Sequence, residues 1–195
     1  YLLSDDYATE RRALINPNNA FLSMPPFGEI PGYSGSGSGH SATVHGAAMI
    51  EYDTSYACAV DADGNAFSVT PSDTATSSPI IPGTGLVVSS RGAQNWAVPE
   101  HASCIAPGKR PRLSPNPAIA VKKGKATMPF GTPGGDVQCQ SMTQVFLNIN
   151  EFGMTPQEAI EAPRFATYSH PDSFEPHKSQ PGSVKICLLY TSDAA

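Results

Sequence analysis

The stretch from Pro25 to Ala48, with "GYSGSGSGHS" at its centre, limits what this chain can fold into more than any other feature. Pro, Gly and Ser in that density cannot bury enough apolar surface to offset the entropy of ordering them, so the sequence predicts a flexible linker. A glycine-rich phosphate loop is the alternative. It fails because no Lys-Ser/Thr pair follows and no strand-to-helix context surrounds it. The chain is thus a short leading piece, a linker and a longer second piece.

Composition narrows the partners. At 195 residues with 39% hydrophobic content and a formal charge of −5, the chain has the length of one domain with a real core. No Lys/Arg cluster could neutralise several phosphates, which argues against nucleic acid. No apolar run approaches the roughly 20 residues of a membrane span. The opening "YLLSDDYATERRAL" lacks the basic-then-apolar order of a signal peptide and no Met precedes it. It reads as a fragment whose compartment is left open. Cys58, Cys104, Cys139 and Cys187 are scattered without a CxxC pair, so buried free thiols are expected rather than a zinc site. The closing "CLLYTSDAA", Cys187–Ala195, breaks the preceding composition and reads as a non-native tail resembling translated sequencing adapter.

Ser4 to about Asn16 reads as a helix, with acids opening it and Arg11-Arg12 nearer its end. Beyond the linker, strands are expected over 54–60, 66–70 and 86–90, the first two joined by the hairpin signal Asp63-Gly64. A second hairpin pairs 118–122 with 125–130 around "KKGK". After "FGTPGGD" (130–136), Met142, Val145, Phe146, Ile149 and Phe152 mark the apolar face of a helix ended by Gly153. Thr155-Pro156-Gln157-Glu158 opens another with a capping box, and Pro163 closes it. Strands followed by amphipathic helices give an α+β class, with helices layered on antiparallel sheet.

Two places could carry chemistry. Thr54 begins the first strand behind Asp53, just where the linker ends. As an internal residue it is a β-branched strand starter. As the first residue of a chain it would have its own α-amine, with an ordinary pKa of about 8, as a base for its hydroxyl. That second role requires cleavage of the Asp53–Thr54 bond beside a mobile segment. In "TPGGD", two glycines before a helix expose consecutive N–H groups at its positive end, suited to an oxyanion; a tight turn is the alternative. The five histidines are isolated in sequence, and nothing proposes a His-based triad.

The ordered blocks "DTSYACAVDADGNAFSVT", "PGTGLVVSSRG", "APGKRPRLSPNPAI", "FGTPGGD" and "QVFLNINEFGMTPQEAIEAPRF" resemble the γ-glutamyltransferases (γ-glutamyltranspeptidases). The resemblance runs from the first helix to about residue 180. It implies an N-terminal-nucleophile hydrolase with an αββα sandwich, in which a precursor cuts itself and the small subunit begins with the catalytic Thr. Thr54 matches that residue, seven positions before Asp61. Residues 1–53 would then close the large subunit and 54–186 form most of the small one, with 187–195 the tail. Gly134 and Gly135 match the oxyanion glycines, and Ser72 takes the place of a second Thr hydroxyl that holds the nucleophile.

The recognition positions depart from the family. The usual Thr-Thr-His start is Thr54-Ser55-Tyr56, the Asn that contacts the donor α-carboxylate falls at Thr74, and the acid that meets its α-amino group falls at Gln94. The usual Ser pair reads Leu113-Ser114, and Arg91 and Arg110 are candidates for a substrate carboxylate. The resemblance implies acyl transfer from a γ-glutamyl or other amide donor to water or an amine. It implies no metal or organic cofactor, and it implies the remainder of the large subunit as partner. An acylase acting on another amide, such as a β-lactam side chain, is the rival within the class. A homologue that never cleaves is the rival outside it.

Overall fold

The computed structural model describes residues 1–21, 25–26, 28–32, 54–73 and 78–187. The expected linker, beyond residue 32, lies outside them. In the leading piece, α1 (Asp5–Arg12) is capped by Ser4, whose hydroxyl accepts from the Tyr7 N–H, with Asp5 and Asp6 in its first turn and both arginines in its last. It stops short of the expected Asn16 because Leu14 and Ile15 donate to the carbonyls three residues back, tightening the last turn.

Strands β1 (Ala57–Val60) and β2 (Ala66–Val69) pair antiparallel, Ala57 facing Val69 and Val60 facing Ala66. The turn between them is built on Asp61, whose carboxylate accepts from the Asn65 side-chain amide at 2.7 Å and from the backbone of Asn65 at 2.8 Å and Asp63 at 3.0 Å. Gly64 completes it at φ 83°. Residues 54–56 precede the ladder, tied to the far side by the Ser55 N–H, which donates to the Pro71 carbonyl at 3.0 Å.

The second hairpin, β3 (Ala118–Lys122) with β4 (Lys125–Phe130), follows the expected bounds, with a bulge at Ala120/Val121. Its loop is two residues, Lys123 at φ 51° and Gly124 at φ 77°, a primed turn whose twist matches the strands. The two hairpins lie against each other.

The expected strand at 86–90 is not formed. Only an isolated bridge joins Val87 to Ile80. The Ser89 hydroxyl then accepts from the Arg91 N–H and starts a 3-10 helix, Ser90–Gln94. A serine free to cap outcompeted the weak extended preference of the run before it.

Helix α2 (Val137–Asn150) buries Met142 and rests Phe146 on Phe130, ring centroids 5.8 Å apart. Phe152 lies past the helix end and is 71% exposed, so it leaves the expected apolar face. The capping box of α3 (Pro156–Glu161) is formed in both directions. Two strands absent from the sequence reading follow, β5 (Arg164–Thr167) and β6 (Val184–Cys187), paired antiparallel.

Helix α2 closes the other edge of β5 with side chains. The Gln144 amide donates to the Phe165 carbonyl and accepts its N–H; Gln140, one turn earlier, does the same for Thr167. Alternate residues of an edge strand present their polar groups on one side, and an i, i+4 pair on a helix spans that repeat.

Trp96, Met142, Ala159, Ala166 and Phe174 form the buried apolar core. The cysteines are free as expected but not buried: Cys58, Cys139 and Cys187 are exposed and Cys104 is half-buried. Among the described residues no helix is long and apolar enough to cross a membrane.

Candidate active site

Thr54 and Ser72 flank the first hairpin, one before β1 and one after β2. Antiparallel pairing brings them together, with the two hydroxyl oxygens 2.6 Å apart. From the 3-10 helix, Arg91 Nη2 donates to the Ser72 hydroxyl at 2.7 Å, while Nη1 faces the Ser114 hydroxyl at 3.5 Å. Its Nε meets Asp73 at 3.4 Å, and Ser89 donates to the same carboxylate oxygen at 2.9 Å. The Phe174 ring lies under the guanidinium, 5.2 Å from its carbon. The Arg91 side chain is 13% exposed, so this charge works with little solvent screening.

Gln94, fully buried, is committed to Ser114. It donates to that hydroxyl at 2.7 Å and accepts the Ser114 N–H at 3.0 Å. The amide satisfies both partners, one as donor and one as acceptor.

The glycine loop approaches from β4. Gly134 has φ 128° and Gly135 φ 53°, conformations that L side chains rarely adopt. Their carbonyls receive the N–H groups of Val137 and Gln138 and so begin α2. Asp136 does not cap this helix with its side chain. Its carboxylate accepts instead from the Ser173 N–H at 2.6 Å and from the Ser173 hydroxyl, with Arg112 at 3.7 Å.

Tyr56 joins the two sides. Its hydroxyl contacts that of Ser68 at 2.9 Å, and its ring covers Gly131, where an added Cβ would stand 2.4 Å from the ring carbons. Only glycine allows the segment leading into β1 and the glycine loop to come so close. Burial raises the Tyr56 phenol above its ordinary value, against the lowering effect of the Ser68 hydrogen bond.

Of the sequence-predicted residues, then, the structure gathers Thr54, Ser72, Arg91, Gln94 and Ser114 into one network and places the Gly134-Gly135 loop beside it through Tyr56 and Gly131. Asp53 and Thr74 lie outside the described residues. Sequence reasoning missed Asp136 and Phe174. Asp136 stood in the quoted "FGTPGGD", but nothing local links it to Ser173. By fixing Ser173, it sets the adjacent Phe174 under Arg91.

The site is a hydroxyl pair flanking the first hairpin, linked through Tyr56 and Gly131 to the glycine loop that opens α2. The gamma-glutamyltranspeptidase family model matches residues 1–188, and the chain belongs to that family. It is 33% identical over 200 residues to a glutathione hydrolase proenzyme of Pseudomonas sp. (strain A14), covering 95% of this chain and 32% of that protein. It is also 33% identical over 190 residues to the acylase ACY 1 proenzyme of Pseudomonas sp. (strain V22), covering 96% of this chain and 30% of the relative. The solved structure of LmbA2991HD superposes with a TM-score of 0.72 at 30% identity, over 95% of this chain and 33% of that one. The chain spans about a third of the length of these curated relatives. Its α+β hairpins and helices are part of the N-terminal-nucleophile hydrolase fold.

Proposed function

We propose that this chain carries the nucleophile half of a self-processing amide hydrolase or acyltransferase. Cleavage of the Asp53–Thr54 bond frees the Thr54 α-amine. The amine takes the hydroxyl proton as the oxygen attacks an amide carbonyl, and the Gly134 and Gly135 N–H groups stabilise the oxyanion. The C–N bond then breaks, the proton passes to the leaving amine, and a Thr54 ester remains for water or an amine to resolve. Ser72 keeps the attacking oxygen in place through its short hydroxyl contact. That 2.6 Å contact between Thr54 and Ser72, across a hairpin that leads Thr54 by the glycine loop, is the observation that carries the reading.

The donor is a γ-glutamyl-type amide, as with the glutathione hydrolase relatives, or another acyl amide, as with the acylases. The neutral Gln94 favours the second, because a donor α-ammonium finds no carboxylate there. Completing the site is the task of the rest of the protein. The exposed apolar side chains on the hairpins, Val60, Phe67 and Val121 among them, give that remainder a surface to cover.

The test is made on the full-length protein. It should run as two bands on a denaturing gel and release nitroaniline from acyl anilides or acid from acylated β-lactams. Thr54→Ala should leave one band and reduce turnover to background. A wild-type protein that stays one band, with amidase activity unchanged in Thr54→Ala, overturns the reading.

A further inference from the structure

Asp136 stands where a helix cap belongs and does something else. It is the residue before α2, yet its side chain makes no capping bond, and the Val137 and Gln138 N–H groups go to the Gly134 and Gly135 carbonyls instead. An acid at that position ordinarily accepts from the first turn of its own helix. Here the carboxylate is spent 37 positions away: Oδ2 accepts from the Ser173 N–H at 2.6 Å and Oδ1 from the Ser173 hydroxyl. Ser173 is fully buried and the Asp136 side chain is 18% exposed, so little water competes for these charge-assisted bonds. Arg112, 3.7 Å from Oδ1, balances the charge.

Ser173 belongs to a closed turn. The Asp172 N–H donates to the Lys178 carbonyl at 2.7 Å, and the Asp172 carboxylate accepts the Phe174 N–H at 2.9 Å. The His177 N–H returns to the Phe174 carbonyl at 2.7 Å. Three contacts seat this turn on the segment that carries Arg91. The Glu175 N–H donates to the Ala93 carbonyl at 2.8 Å, the His177 ring stacks on Trp96 at 4.0 Å, and Phe174 lies under the guanidinium. From there Arg91 reaches Thr54 through the Ser72 hydroxyl, at 2.7 Å and 2.6 Å. One carboxylate, next in sequence to Gly135, therefore ties the end of the glycine loop to a chain of contacts that ends on Thr54.

We infer that Asp136 is a positioning residue for the reaction, fixing the glycine loop relative to the Arg91–Ser72–Thr54 chain through Ser173 and the 172–178 turn. It acts through other groups, and its effect falls on the alignment of the attacking oxygen with the oxyanion donors. A misplacement on the order of 1 Å between reacting groups costs about 100-fold in rate. This rests on the N-terminal-nucleophile reading above and adds to it the residue that holds its two sides in register.

The experiment is run on the full-length protein with γ-glutamyl and butyryl p-nitroanilides and an acylated β-lactam, each variant assayed well below its melting temperature. Asp136→Ala should lower kcat about 10- to 100-fold and leave KM within about threefold. Asp136→Asn keeps an acceptor for the Ser173 N–H and should recover most of kcat. Ser173→Ala keeps that N–H, loses the hydroxyl and should cost about three- to tenfold. The double variant of Asp136→Ala with Ser173→Ala should be no slower than Asp136→Ala alone, since both act through one link. A residue that serves stability alone would lower the melting temperature and leave kcat of the folded enzyme unchanged. Wild-type kcat in Asp136→Ala, or losses that multiply in the double variant, overturns this inference alone. Where Asp136→Ala does not fold, wild-type kcat in Ser173→Ala overturns it. A full-length protein that stays unprocessed and turns over none of the donors overturns the reading beneath it as well.

Discussion

The two sides of the site are held by different means. On the hydroxyl side, Thr54, Ser72, Arg91, Gln94 and Ser114 come from three separate segments and are fixed by side-chain hydrogen bonds spanning 18 to 23 positions. On the glycine side, Gly134 and Gly135 are fixed by their own backbone angles and by the helix they open. The first arrangement can change its chemistry one side chain at a time. The second has no side chain to change, and its donors are lost whenever the angles are. In the proposed function, the backbone of the glycine side would hold the oxyanion, while the side chains of the hydroxyl side would carry the nucleophile and its neighbours.

The sharpest way to break this contrast is on the glycine side. Gly134→Ala, at φ 128°, should lower kcat by about 10²- to 10³-fold, the usual loss for a missing oxyanion donor. Gly153, also at positive φ (69°), ends α2 away from the site. Gly153→Ala should cost about 1 kcal/mol of stability and leave kcat alone. Steady-state kinetics beside thermal melts of both variants separates the two. Equal loss of kcat in both would mean that backbone strain anywhere in this unit disables it.

On the hydroxyl side, the effect should be smaller and side-chain specific. Ser72→Ala removes both the Thr54 contact and the Arg91 acceptor, and should lower kcat/KM about 10- to 100-fold. Ser72→Thr restores a hydroxyl and should recover most of it. If the two variants behave alike in anilide release, the hydroxyl does not position the nucleophile.

Tyr56 and Gly131 mark where the two sides meet, so they test whether the sides are coupled. Gly131→Ala drives a methyl into the Tyr56 ring and should destabilise by about 1–3 kcal/mol. Adding Tyr56→Leu should return part of that, a non-additivity read from denaturant midpoints in a double-mutant cycle.

The same division governs what could be read from sequence. The hairpins were legible because their turns are local chemistry: Asp63-Gly64, and Lys123-Gly124 with both residues at positive φ. So was the Thr155 capping box. The Arg91–Ser72 bond was not, since no propensity or spacing relates residues that far apart. Strands β5 and β6 escaped for the same reason. Four residues each, they are joined only after a long excursion, and β5 takes its second set of partners from glutamine side chains. At 86–90 the sequence misled, because a serine cap won over a short apolar run.

The smallest expected effect sits in the turn that joins β1 to β2. The hydrogen bond from the Asn65 side chain, with others from the Asn65, Asp63 and Gly64 backbone, holds the Asp61 carboxyl below its ordinary pKa. A carboxyl whose folded pKa is depressed stabilises the fold at pH values above its unfolded pKa. That contribution fades as pH falls through the lowered folded value. In Asp61→Asn the residue has no charge to titrate. The melting temperature of the unmodified protein should therefore exceed that of the variant near neutral pH, and the gap should close in acid, below the ordinary Asp range. A gap that stays constant from neutral to acid pH would mean the turn is held by shape rather than by the carboxylate. The alignment of Thr54 with Ser72 would then not depend on this charge at all.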